Sequence, residues 1–112
     1  MIKIVMTFKR RRGMDVQAFR DYRRDVHAPI LLSIPEAQLM RRLVVSYPAD
    51  PVAGGDEPRF DAMVEVWFDT EQDMAAMFQS DSFRDTVDPD HANFIDLTSV
   101  DQVVTEEVIV VG

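Results

Sequence analysis

Few side chains in this sequence combine reactive chemistry with a spacing that brings them together. Arg23 and His27 do. They stand four residues apart in a segment with the period of a helix, where side chains four apart are neighbours. At 100° per residue, Val16, Phe19, Val26 and His27 fall within an arc about 100° wide, and Arg23 lies inside it. A guanidinium and an imidazole therefore share the face that should meet the protein interior. Buried without partners, such groups are costly. They either meet carboxylates or line a cavity, and beside Arg23 the imidazole favours its neutral form. A neutral imidazole is a general base or a donor to a substrate oxygen. The other reading is that His27 caps the helix C-terminus, where a partly positive ring meets the dipole. Tyr22 projects about 40° outside the arc on the same 100° projection. His91 lies in an irregular stretch, Asp88 to Asp96, that can fold over the mouth of such a cavity with Phe94. Asp96, Glu65 and Asp61 are the carboxylates considered for orienting His27.

Other chemistries find little support. There is no cysteine, which removes disulfides, thiolate catalysis and zinc–cysteine sites and agrees with a cytoplasmic location. Neither histidine has a ligand partner at a recognisable metal-binding spacing, so no metal is expected. No glycine-rich phosphate loop or nucleophile elbow occurs. The seven methionines read as core filler. Twelve Lys and Arg stand against 20 Asp and Glu, a net charge of −8, which disfavours nucleic acid and anionic membranes as partners. The basic run Lys9 to Arg12 reads as a solvated turn. The N-terminus has its charge after the apolar stretch, the reverse of a signal peptide. No apolar run approaches the roughly 20 residues that span a bilayer.

The elements that must position these residues can be read in order. The 112 residues suit one domain, residues 1–112. Residues 2–8 alternate with period two and form a strand. Asp15 is an N-cap for the first helix, and Pro29 ends or bends that helix near His27. Residues 38–47 read as a second strand, with Leu39, Leu43, Val45 and Tyr47 on one face and Arg41 interrupting it. Pro48 to Pro58 is a long loop containing Gly54 and Gly55. A third strand covers 60–68. Thr70 and Asp73 open a second helix as a capping box. A helical turn spans Ser82 to Val87, and a last strand runs from about 102 to 111. The order β-α-β-β-α-β gives an α+β, ferredoxin-like sandwich with both helices on one sheet face. The other face carries Val5, Met63, Trp67, Ile109 and Val111 among charged residues. It faces water poorly, so a homodimer through this open face is expected.

The run from Lys9 to Pro29, with Phe19, Tyr22 and His27-Ala28-Pro29 as its most specific spacing, resembles the EthD family. So do Val64 to Asp69 before the second helix and Asn93 to Asp96. The resemblance implies a dimeric α+β barrel and a role on small molecules. Members are associated with ether degradation, and related domains with decarboxylation, dehydration or cyclisation of aromatic polyketides. It also implies no metal or organic cofactor, and it maps the family's histidine onto His27. One departure is Arg23, where the family often has Trp after the Tyr. This favours an anionic or phenolate ligand. The resulting expectation is a cofactor-independent acid–base enzyme of lyase, isomerase or cyclase type. His27 would transfer the proton and Arg23 would hold an anion, with Tyr22, Trp67, His91 and Phe94 lining or covering the pocket. The alternative is a small-molecule-binding or accessory protein for an oxygenase, which needs the pocket but no proton-transfer group.

Overall fold

The computed structural model describes residues 1–49 and 57–112, so the glycines of the long loop lie outside the described residues. Four strands, β1 (Ile2–Phe8), β2 (Arg42–Ser46), β3 (Ala62–Phe68) and β4 (Asp101–Glu106), form one antiparallel sheet in the order β2-β3-β1-β4. Between β1 and β2 run α1 (Val16–Tyr22) and α2 (Ala28–Leu32), joined by a π turn at Arg23–His27. Between β3 and β4 lie α3 (Glu71–Phe78), a second π turn at Phe83–Val87 and 3-10 turns at Asp88–Asn93 and Leu97–Ser99. This is the ferredoxin-like order read from the sequence. Among the described residues no helix is long and apolar enough to cross a membrane.

The caps lie where the residue types put them. The Asp15 side chain accepts from the Ala18 N–H, and the Thr70 side chain accepts from the Asp73 N–H. Each satisfies an amide that the helix start leaves without a partner. One face of the sheet supplies Ile4, Phe8, Val64, Val66 and Phe68 to the core, and α1, α2 and α3 supply Phe19, Leu31 and Met77. Phe19 and Phe68 are completely buried. Truncating either to alanine costs about 3–5 kcal/mol, because the dense interior cannot close over the void.

Three boundaries differ from the sequence reading. The last strand ends at Glu106 rather than near 111, because Glu106 already pairs with Ile2 and β1 has almost no chain left to pair. Ile109 and Val111 therefore lie off the sheet, 80% and 94% exposed. The second strand starts at Arg42 rather than 38, because residues Pro35–Leu39 take up a 3-10 turn. Leu43 and Val45 do face the helices, opposite Val66 and Val64 in register. Arg41 does not interrupt that face; it precedes the strand and reaches Asp69 instead. The first helical segment also passes Pro29 and continues to Leu32, so His27 is an interior residue and not a C-terminal cap.

Candidate functional site

The two π turns build the site. Each closes just before an X-Pro pair, Ala28-Pro29 and Asp88-Pro89. A proline inside an α-helix lacks a donor and crowds the carbonyl four residues back. Here the Ala28 N–H reaches Arg23 O, and the Asp88 N–H reaches Phe83 O, so each turn is one residue wider. The widening has a packing consequence. A four-residue step overshoots an α turn by about 40°, and the π turn takes up that drift. Phe19, Arg23, His27 and Leu31 thus form one buried stripe, whereas Val26 is turned outward and is 39% exposed. π turns of this kind occur often at functional sites.

Asp90, in the 3-10 turn after the second π turn, is the carboxylate that meets His27. Its Oδ2 lies 2.9 Å from His27 Nδ1. Its Oδ1 accepts from the Tyr22 hydroxyl at 2.6 Å and from the Asn93 amide at 3.0 Å. Burial raises the Asp90 carboxyl, but the bonds from Tyr22, Asn93 and His27 outweigh it and leave it below the usual carboxylate range. An ionised Asp90 can only accept, so the His27 proton sits on Nδ1 and Nε2 is left as a bare lone pair.

Burial also pushes His27 down to about 4; the Asp90 bond opposes the shift, and His91 and Arg23 add to it. The ring is 2% exposed and neutral at physiological pH. Aromatic neighbours fix its plane, with His91 at 4.7 Å and Phe94 at 4.8 Å between centroids. The Tyr22 hydroxyl is pushed up by its bond to Asp90 and by burial, so it stays a donor. Its ring stacks on Phe94 at 5.1 Å.

Arg23 is 7% exposed and has no carboxylate partner among the described residues. Its guanidinium lies 5.7 Å from the Phe8 ring and 5.9 Å from the Phe94 ring. Burial lowers its proton affinity, yet a guanidinium stays charged. Arg23 and His27 line a central space of about 50 Å³, closed below by Val64 and Val66 and at one side by Phe83 and His91. They also line a wider cavity of about 400 Å³ beside β2, walled by Leu31, Met40, Leu43 and Tyr47. The arrangement places a neutral base and a fixed cation on the wall of an apolar hollow. Such a site can take up a proton beside a developing negative charge.

A family model for the EthD domain matches residues 11–98. The chain belongs to the EthD family. Among solved structures, an EthD family protein from Bacillus halodurans is 22% identical, covering 96% of this chain and 99% of that one with a TM-score of 0.73. An EthD-like protein from Ralstonia eutropha is 21% identical, with 98% and 92% coverage and a TM-score of 0.67. A dimeric protein of unknown function and ferredoxin-like fold from Bacteroides fragilis is 15% identical, with 95% coverage of each chain and a TM-score of 0.64. No curated protein sequence matches the chain.

In this EthD domain, five of the six residues singled out by sequence come together. Tyr22, Arg23, His27, His91 and Phe94 pack around one another beneath α1. Trp67 does not join them. Side chains alternate along a strand, so Trp67 points away from Val66 and His27, onto the opposite sheet face. There it meets Arg42 at 4.7 Å and Lys3 at 5.0 Å, and its indole N–H donates to Glu107. The orienting carboxylate is also a correction. Asp96 bonds Thr98, Glu65 bonds Lys3 on the far face, and Asp61 bonds Arg10. Sequence reasoning passed over Asp90 and Asn93. The signal available was Asp90 one residue after Pro89, where a fresh helical turn starts and its side chain can be aimed inward.

Proposed function

We propose that this EthD domain performs cofactor-independent acid–base chemistry, of lyase, isomerase or cyclase type, on a small aromatic or anionic organic substrate. The observation that carries the reading is the neutral, buried His27, tied at Nδ1 to Asp90, next to the guanidinium of Arg23, which has no carboxylate partner among the described residues. In this reading His27 Nε2 takes a proton from an acidic C–H or O–H of the ligand. The electron pair left behind becomes an enolate or phenolate, held by Arg23. The imidazolium keeps its Nδ1–H bond to Asp90 and returns the proton to another atom of the substrate or to a leaving group. A base near 4 is weak at neutral pH. The bound anion corrects this, because negative charge beside the ring raises its pKa toward the working range. The substrate thereby activates the base that acts on it.

The test is solvent exchange of acidic C–H positions in D2O, followed by proton NMR, with benzoylacetate and phenylpyruvate as probes. Wild-type protein should accelerate exchange of at least one, and His27→Gln should not. Equal rates for the two proteins contradict the acid–base reading and leave a binding or accessory role for an oxygenase, which needs the cavity alone.

We also propose that two copies pair through the open sheet face. Val103 on that face is 56% exposed, and Val108 to Val111 beyond β4 are 80–94% exposed. That much apolar surface in one region favours a partner, and the Bacteroides fragilis relative in fold is dimeric.

A further inference from the structure

A third hollow, of about 530 Å³, opens on the β4 side of the same helix–sheet layer. Met6, Phe78, Phe83 and His91 wall both this hollow and the central space at His27. Arg23, His27 and Leu43 wall both the central space and the β2-side cavity. The three spaces therefore adjoin in a row across the subunit, with the two histidine rings at the narrow middle.

The β4-side hollow has a feature that ordinary cores lack. Val104 pairs with Ile4 in register and so points toward the helix layer, yet it is 45% exposed. Leu97 and Val100 beside it are 57% and 39% exposed. This is sheet surface of the kind a helix normally covers. Its volume lies within the range of small-molecule sites, and its wall is mainly apolar around a few polar groups, as such sites are. At the inner end stands His91, and beyond it Arg23, a buried cation with no carboxylate partner among the described residues.

We propose that the β4-side hollow receives the apolar body of a monoanionic acid, an alkyl or aryl chain, while its anionic group enters past His91 into the central space and is held there by Arg23. The assignment of the anion to Arg23 rests on the functional reading above. The hollow's own role is new to it. A molecule lying this way sets its charged end and the adjoining carbon beside His27, and leaves chain length to be measured by the hollow.

Binding of straight-chain alkanoates, butanoate to decanoate, followed by calorimetry, tests this without any turnover. Each added methylene buried in the hollow should tighten binding about threefold to fourfold. Val104→Trp fills the hollow from the sheet side and should flatten this dependence. Ala75→Phe fills it from α3 and should do the same, which guards against misfolding of either variant. Octanoate should bind at least tenfold more tightly than 1-octanol, and Arg23→Met should erase that difference. An unchanged chain-length dependence in both filled variants, octanol binding as tightly as octanoate, or no binding of any alkanoate would each overturn the proposal. Because the readout is affinity, a protein that binds as described yet fails to catalyse exchange at benzoylacetate or phenylpyruvate would keep this inference and lose the acid–base reading.

Discussion

His27 Nδ1 lies 2.9 Å from Asp90 Oδ2, across 63 positions of sequence. That single contact ties the first π turn to the 3-10 turn that follows the second, and it selects the tautomer of an imidazole that lines the cavity. Asp90→Asn removes the charge but keeps the shape. An amide no longer dictates which ring nitrogen carries the proton, and catalytic histidines oriented by an aspartate in unrelated folds lose activity steeply on this change. We expect proton exchange at the probe carbon acids to fall by roughly 10²-fold or more, and folding stability to fall by about 1–3 kcal/mol as the Tyr22 hydroxyl loses an ionised acceptor. Rate and urea midpoint, measured on the same preparation, check both.

The acid sensitivity of the fold follows from the buried ring. His27 sits near 4 in the folded protein and near 6.5 in an unfolded chain. The unfolded state therefore binds the extra proton in this window, and stability is lost as pH falls from about 6.5 to about 4. The full difference corresponds to about 3 kcal/mol. Asp90, held below its usual range, acts in the same direction at still lower pH. Urea unfolding at pH 7, 5.5 and 4.5 should show the decline, and His27→Gln should lose most of it.

Arg23 presents the reverse balance of stability and use. A buried guanidinium without a carboxylate carries a desolvation cost that the Phe8 and Phe94 ring faces offset only in part. Arg23→Met, similar in volume, should fold as stably as wild type or more so, by about 1 kcal/mol. The same variant should lose its preference for anionic ligands. A marked loss of stability would mean that Arg23 serves packing and not a ligand.

Two copies of the chain should elute together. Replacing Ile109 and Val111 with serine leaves the sheet intact, since both lie beyond β4. If the tail contributes to pairing, the variant should dissociate at higher concentration than wild type in light scattering after gel filtration. A wild-type monomer at micromolar concentration contradicts the pairing.

Local signals in the sequence carried much of the fold. The period-two run at Ile2–Phe8 and the caps at Asp15 and Thr70 depend on neighbours within a few residues, so they could be read directly. The end of β4 could not, because it is set by where β1 runs out. Pro29 pointed to an end or a bend near His27, and the π turn that lets the helical segment continue to Leu32 is something local propensity does not encode. The candidate site divides the same way. Arg23, His27 and Tyr22 share one helical segment, so helical spacing placed them together. Asp90 and Asn93 arrive from a distant 3-10 turn, and only packing reveals them. Trp67 was equally suited to pocket or open face until the strand register put it with Lys3 and Arg42.

The proposed chemistry turns on the state of the His27 ring, and long-range proton–nitrogen NMR of the imidazole reads it directly. The expected result is a proton on Nδ1, a bare Nε2 at pH 7, and titration near 4. A proton on Nε2, or titration at 6.5 or above, would contradict it.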